Sequence, residues 1–216
     1  MAYEKLYNEI YAALSLKFLW KEYSPCFVKS ESPDWINETM DLGLEVSQAL
    51  LPDDGQTKNL IEKYLGCVKD DLPEIMRERY GDRLYFYNDR FWAVLPDPAK
   101  IQDYLYKAEY RFRDKLEHLN TNYQHRHHNG LYLYLHPTDE SELDISSLYQ
   151  TMEKEQADRK VKFDWVFLNC RSVIYICNYI KGKLETIRLP KNAENFLNAE
   201  TERLRHTIEW ENGTAI

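Results

Sequence analysis

The stretch from Glu31 to Gln48 constrains the fold of this 216-residue chain more than any other. Pro33-Asp34 ends one short apolar run, because Pro fixes a backbone angle and Asp bonds back to nearby amides. In the next run Glu45 and Ser47 alternate with aliphatic residues: Leu42, Leu44 and Val46. Since side chains on a strand point alternately to opposite faces, Glu45 and Ser47 share one face. The stretch predicts two neighbouring short strands, each bringing one carboxylate.

Two carboxylates on adjacent strands are a natural site for a hard divalent cation. Each acid also has a simpler interpretation. A Pro-Asp pair commonly forms a turn, and a Glu within a strand is commonly its solvent-facing residue. The pattern of Asp34 and Glu45 alone leaves both interpretations open.

Length and charge limit the class of protein. A chain of 216 residues suits one domain, or one domain with an insertion. No apolar run approaches the roughly 20 residues of a membrane helix, and the N-terminus does not read as a secretory signal, so we expect no membrane association. The net charge of −8 argues against a general nucleic-acid binder, but it allows one local basic surface.

The cysteines bear on the compartment. They lack the C-x-x-C spacing of a zinc site and are sparse for a disulfide framework. We therefore expect buried thiols in a reducing cytoplasm. The four residues are Cys26, Cys67, Cys170 and Cys177.

Residues 2–22 have the apolar spacing of an amphipathic helix. At about 100° per residue, Glu9 falls toward the apolar side of this helix. An acid in that position costs free energy unless it is paired or binds a cation. The alternative is that Glu9 lies at the edge of the apolar face and reaches water.

A second, longer helix is predicted over about residues 99–123, where one continuous apolar stripe begins after Pro98. Lys115 falls at the border of that stripe, and Lys107 points well away from it. A lysine at such a border usually lays its stem on the core and extends its ammonium group to water.

The other segments fill in a mixed fold. An almost continuous apolar run at 163–169 predicts a central strand covered on both faces. Further strands are predicted at 24–29, 131–135, 172–179 and 184–189, a hairpin around Asn88-Asp89, and helices at 57–65, 73–80, 139–158 and 190–210. Asn129-Gly130 is expected to be a turn, which places His125, His127 and His128 in a solvated loop.

Two sets of basic residues are candidate surfaces for nucleic acid. Arg77, Arg79, Arg83 and Arg90 are interleaved with acids, so we expect a mixed-charge surface there. A cleaner basic run is interrupted only by Glu185: Lys181, Lys183, Arg188 and Lys191.

The element order, together with Pro33-Asp34 and Glu45, resembles the PD-(D/E)XK (restriction-endonuclease-like) nuclease superfamily. The resemblance covers about residues 5–50 and 100–170. It implies an α/β (α+β) fold in which a mixed β-sheet is flanked by helices. The chain would form a single domain, 1–216, with 52–98 as an inserted or peripheral block and 172–210 as a C-terminal hairpin and helix.

The resemblance also implies a site. In that superfamily an acid after Pro and an acid on the next strand hold magnesium, which implies Asp34 and Glu45 as ligands of Mg²⁺ or Mn²⁺. The helix before the sheet often supplies a third acid, which implies Glu9. The superfamily's lysine falls two residues after the strand acid, where this chain has Ser47. In several branches that lysine has moved to a following helix, and the run from Lys115-Leu116 to Tyr123 before LYLYLH implies Lys115.

The implied function is a magnesium-dependent endonuclease that cleaves phosphodiester bonds in DNA. Its setting would be bacterial or phage, in defence or mobile-element processing. The alternative is a non-catalytic acidic protein on the same scaffold, which binds a basic protein partner or mimics nucleic acid. The sequence leaves open the strandedness of the substrate and whether the protein is a homodimer.

Overall fold

The computed structural model describes a mixed α/β fold with one seven-stranded sheet, helices on both of its faces, and a separate two-stranded sheet. The predicted mixed sheet flanked by helices is confirmed at this level. None of the helices in the described part of the chain has the length and hydropathy needed to cross a membrane. The described residues are 2–21, 26–49, 59–61, 63–94, 101–122, 126–135, 143–170, 173–190 and 192–208.

The strands of the main sheet come from both halves of the chain. They are β1 (Val28–Lys29), β2 (Trp35–Asn37), β3 (Leu42–Ala49), β6 (His128–Leu135), β7 (Trp165–Cys170), β8 (Val173–Asn178) and β9 (Lys183–Arg188). Their spatial order follows their chain order. β1, β2 and β3 pair antiparallel, and β3, β6 and β7 pair parallel. β7, β8 and β9 pair antiparallel. The short strands β1 and β2 therefore form one edge.

Helices cover both faces of this sheet. The described helices include α1 (Ala2–Leu19), α2 (Glu74–Tyr80), α3 (Ile101–Thr121), α4 (Ile145–Gln156) and α5 (Ala193–Ile208). α1 and α5 share one core with Leu44, Tyr132 and Phe167 of the sheet. α3 and α4 share a second core with residues that point the other way, such as Leu131 and Val166. The alternation along each strand thus divides the protein into two cores.

β7 lies inside the sheet between β6 and β8, as its composition predicts. Its sequence WVFLNC is buried at every position. A strand inside a parallel part of a sheet is covered on both faces and so carries a near-continuous apolar run. The prediction of a central strand is confirmed.

α1 differs from the predicted amphipathic helix. All residues from Ile10 to Leu16 are buried, because α1 packs against α5 as well as against the sheet. Tyr7 donates a hydrogen bond to Asn198 Oδ1 at 2.9 Å, and the Phe18 and Phe196 rings lie 5.3 Å apart. A helix packed on two sides needs apolar residues nearly all round.

A peripheral block lies between β3 and α3. The strands β4 (Leu84–Tyr87) and β5 (Arg90–Val94) form the predicted hairpin, in which Tyr87 pairs with Arg90 across Asn88-Asp89. Asn88 and Asp89 have φ values of 49° and 56°, which these residue types tolerate. The hairpin and α2 enclose a small core of their own: Leu72, Met76, Tyr80 and Phe91.

Two predictions near the start of β6 are wrong: the turn at Asn129-Gly130 and the position of His128 in a solvated loop. The strand begins at His128, so Asn129-Gly130 is not a turn. A Cβ at Gly130 would lie 3.2 Å from Leu44 Cδ1, so the strand passes close over that side chain. His128 is half-buried, with its ring 5.1 Å from the Trp165 ring. His127 is exposed, and Tyr123, His125 and Lys191 lie outside the described residues.

The cysteine prediction is only half right. Cys170 and Cys177 are buried, but Cys67 is half-buried and Cys26 is exposed, and all four are free thiols. Cys26 lies two residues before the edge strand β1. Burial raises the pKa of the Cys177 thiol to about 12, so this residue behaves as a small apolar side chain.

Gly43→Ala is expected to destabilise the fold by about 1–3 kcal/mol, because the pocket around Gly43 has no room for a methyl group. A Cβ there would lie 2.7 Å from Pro33 Cγ. The proline ring is rigid and precedes Asp34, so the same change should move that carboxylate. Urea unfolding measures the effect, with Ser47→Ala on the same face of β3 as the control. Equal stability of Gly43→Ala and wild type would contradict this packing.

Candidate active site

The register of β2 and β3 brings Asp34 and Glu45 together. Trp35 pairs with Leu44 and Ile36 with Gly43, so the next step of the register places Asp34 opposite Glu45. Directly opposed residues have Cβ atoms about 5 Å apart. β2 begins only at Trp35, so Asp34 does not pair with β3 through its backbone. Its side-chain Oδ2 atom instead accepts a hydrogen bond from the Val46 backbone N–H at 2.8 Å. The Asp34 carboxylate therefore takes a backbone hydrogen bond of β3 at the position where the backbone of β2 no longer pairs with it.

Glu9 approaches from α1, on the opposite face from Glu45. The Trp35 indole Nε1 donates to the Glu9 backbone carbonyl at 2.8 Å, which fixes this turn of α1 against β2. Glu9 is 3% exposed, so the interpretation that it reaches water from the edge of the apolar face is wrong. Its Oε1 atom is enclosed, and among the described residues no donor meets it in hydrogen-bond geometry.

Lys115 reaches the site from α3. Its Nζ lies 2.6 Å from Glu45 Oε1, and the two side chains are 20% and 8% exposed. Glu45 pairs in register with Leu131, whose side chain belongs to the core shared with α3. The lysine at the border of the helical stripe thus meets the acid on the underlying strand. Lys115 extends its ammonium group to a carboxylate rather than to water.

Two further lysines complete the network, and sequence analysis missed both. Lys29 Nζ lies 2.9 Å from Glu9 Oε2 and donates to the backbone carbonyls of Ser30 and Asp34. Lys5 Nζ lies 3.3 Å from Glu9 Oε1 and 3.6 Å from Asp34 Oδ1. The spacing of four residues between Lys5 and Glu9 is a signal that the sequence carried. Lys29 gave no such signal, because its position depends on pairing with Trp35.

The two missed lysines differ in exposure. The Lys5 side chain is 70% exposed, whereas that of Lys29 is 24% exposed and lies over the Trp35 ring. Burial opposes the charge on Lys5, but the carboxylates of Asp34, Glu9 and Glu45 outweigh it and raise the pKa of its ammonium group. Lys29 is a fixed counter-ion, and Lys5 is one that solvent can release.

The electrostatics of the site centre on Asp34. Burial, followed by the nearby charges of Glu45 and Glu9, raises the pKa of this carboxyl to about 7 from an ordinary 3.8. The hydrogen bond from the Val46 N–H acts in the opposite direction. Carboxylates that share a site resist ionising together. A cation brought among them would favour their charged forms.

This raised pKa predicts a pH dependence of stability that Asp34→Asn removes. Because the folded pKa exceeds the unfolded one, the folded state holds an extra proton between about pH 4 and 7. The contribution of Asp34 to stability is therefore lost as the pH rises through this window. Relative to wild type, Asp34→Asn should gain about 2–3 kcal/mol in the free energy of unfolding between pH 5 and 8, at about 1.4 kcal/mol per pKa unit. Urea titrations measure it.

The exposed Asp158→Asn is the matched control for that titration, and its difference from wild type should stay constant over the same pH range. If the Asp34→Asn difference also stays constant, Asp34 ionises normally in the fold.

A small cleft gives access to Glu45 from the α3 side of the sheet. The backbone of Gly43 and Gly130 forms part of its floor, and Phe163 and Leu119 form its apolar walls. Asn129 and Glu45 are the polar residues of its lining. The cleft therefore leads along β3 to the carboxylate that Lys115 contacts.

The donors suit a hard cation by chemistry, although they are not spaced as a ready cage. Within the described part of the chain, no group of three or more His, Cys, Asp or Glu side chains is arranged to hold a metal ion. The oxygens of Glu9, Asp34 and Glu45 are nevertheless the ligand type that Mg²⁺ prefers. Burial and the two neighbouring acids raise the pKa of Asp34, and a cation bound there would favour the charged carboxylate.

All four residues implied by the resemblance thus meet in one network: Glu9, Asp34, Glu45 and Lys115. Comparison with known proteins adds nothing to this geometry. No family model, curated protein or solved structure matches the chain. The chemistry of the site is therefore inferred from its own residues.

Proposed function

We propose that this protein is a Mg²⁺-dependent endonuclease that hydrolyses phosphodiester bonds in DNA, on a PD-(D/E)XK-type core. One observation carries the proposal. Three carboxylates and a lysine that are distant in sequence converge where the short strand β2 leaves the sheet. A lysine within reach of buried carboxylates is the arrangement that metal-assisted phosphoryl chemistry uses.

The chain order of the elements supports the same class. One helix precedes the three antiparallel strands β1 to β3, α3 follows, and the chain then enters the parallel strands β6 and β7. The resemblance implies this order. The block between β3 and α3 has its own small core, which suits an insertion.

Each residue then has a distinct role. Asp34 and Glu45 would hold the cation, and Glu9 would complete its surroundings directly or through water. When bound, the cation stabilises charge on the phosphate and lowers the pKa of the attacking water. Asp34 gives up its proton at that point, because a neighbouring positive charge favours the carboxylate.

Lys115 would act beside the cation. Its contact with Glu45 holds the ammonium group in place. It would orient the water or neutralise the charge that develops on the phosphate. It would thereby take the role of the superfamily's strand lysine, whose position is occupied by Ser47 in this chain.

Metal binding provides the direct test. Mn²⁺ at about 100 times its dissociation constant should stabilise the wild type by about 2.7 kcal/mol, because only the folded state holds the carboxylates together. Asp34→Ala should abolish this gain, and Asp34→Asn should do the same with less disturbance of the hydrogen bond to Val46. Thermal melts over a Mn²⁺ series measure it, with the exposed Asp158→Ala as control.

One observation favours the alternative of a non-catalytic interaction protein. Each of the three acids already has an ammonium group within 4 Å, at Lys5, Lys29 or Lys115. A self-neutralised cluster of this kind can serve the fold alone. Under that alternative, Mn²⁺ would stabilise wild type and Asp34→Ala equally, and the wild type would not nick plasmid DNA.

A further inference from the structure

A row of cations follows α3 up to the candidate site. Lys107, Arg111 and Lys115 are spaced by four residues, so they lie about one helical turn apart along one side of α3. Leu119 lines the cleft with Gly43, and Lys115 contacts Glu45, so α3 runs antiparallel to β3. One turn of helix spans about the same length as two strand residues. Arg111 therefore lies level with Ser47, and Lys107 one turn beyond.

An aromatic ring is interleaved with this row. Tyr110 is 48% exposed, and its ring centroid lies 5.0 Å from Lys107 Nζ and 6.0 Å from Arg111 Cζ. We call the four residues Lys107, Tyr110, Arg111 and Lys115 the basic ridge.

Two of the three cations of the basic ridge, Lys107 and Arg111, are incompletely neutralised. In the described part of the chain no carboxylate forms an ion pair with Lys107, and Arg111 has a long contact of 3.7 Å to Asp114. Arg111 Nε is enclosed without a hydrogen-bond acceptor among the described residues. By contrast, Arg113 on another side of α3 lies 2.9 Å from Glu155 and 3.6 Å from Glu109. Like charges four residues apart disfavour a helix, so the ridge suits an anionic ligand.

We propose that the basic ridge binds a single strand of DNA and leads it to the carboxylate site. The proposal rests on the nuclease function and names its substrate as unpaired DNA. Lys107 and Arg111 would contact successive phosphates, whose neutralisation releases counter-ions. Tyr110 would stack on a base, which only an unpaired base allows. The ridge is the local basic surface that an acidic protein needs to hold a nucleic acid.

Binding in EDTA tests the ridge without cleavage. The probe is a fluorescein-labelled single-stranded DNA of about 20 nucleotides, followed by fluorescence anisotropy, beside its duplex and an RNA of the same sequence. Arg111→Met and Tyr110→Ala should each weaken binding about tenfold, and Tyr110→Phe should restore it because stacking needs only the ring. Arg111→Met should also lower the slope of log K against log salt by about 0.7.

Two controls remove the same residue types away from the ridge. Arg113→Met lies on another side of α3 and Tyr87→Ala is an exposed tyrosine on β4, and both should bind within about twofold of wild type. Equal losses in Arg111→Met and Arg113→Met would overturn the ridge, as would duplex or RNA binding tighter than the single strand. If wild type cleaves DNA but the ridge variants bind normally, the ridge is wrong and the nuclease stands. If binding depends on the ridge but no metal cleaves DNA, the nuclease is wrong and the ridge stands.

Discussion

Glu45→Gln should reduce Mn²⁺-dependent nicking of plasmid DNA by at least about 10²-fold, because it removes one charge from the group that would hold the cation. The shape of the side chain is kept, and the amide oxygen can still accept a hydrogen bond from Lys115. Two effects on stability oppose each other. The ion pair with Lys115 is lost, and the charge that raises the pKa of Asp34 is removed. We expect the free energy of unfolding to change by less than about 2 kcal/mol.

Far-UV circular dichroism and a urea titration show whether Glu45→Gln is folded. Glu185→Gln on the edge strand β9 is the control for the same chemical change far from the site. If purified Glu45→Gln nicks DNA as fast as wild type, the activity does not come from this site.

Lys115→Met should lower the same nicking activity by about 10²-fold while the protein still binds Mn²⁺. Methionine keeps much of the apolar stem of Lys115 and loses only the charge. Since Glu45 then has no ammonium partner at 2.6 Å, its carboxylate becomes more available to a cation. We therefore expect Mn²⁺ to stabilise Lys115→Met at least as much as wild type in thermal melts.

This pair of measurements separates catalysis from metal binding. The exposed Lys154→Met on α4 is the control, and its activity should equal that of wild type. Lys107 is unsuitable as a control, because the basic ridge predicts weaker DNA binding for its variants. Full activity of Lys115→Met at saturating DNA would show that this lysine has no catalytic role.

The strands and long helices could be predicted because their signals are local. The apolar run of β7, the alternation in β3 and the stripe of α3 each report burial of that one segment. The failures come from contacts between segments. Asn129-Gly130 looks like a turn until Leu44 is placed beneath Gly130. The burial of α1 from Ile10 to Leu16 depends on α5, which is almost two hundred residues away in the chain.

The site divides in the same way. Glu9 and Lys115 could be singled out because a charged residue near an apolar helical stripe is visible in the sequence. Lys29 could not, since β1 is only two residues long and its partner Trp35 is set by the sheet. The raised pKa of Asp34 is likewise invisible in sequence, because it comes from burial and from acids on two other elements.

β2 begins only after Asp34, and this short strand has a consequence for how such a protein can vary. Had that strand continued through Asp34, a backbone carbonyl would take the Val46 N–H, and the added strand would separate Glu9 on one face from Glu45 on the other. Glu9 and Glu45, on opposite faces of the sheet, come near each other only because β2 is short. Strand length at this edge is thus a means by which a change in the loop at residues 30–33 could switch the site off without touching a charged residue.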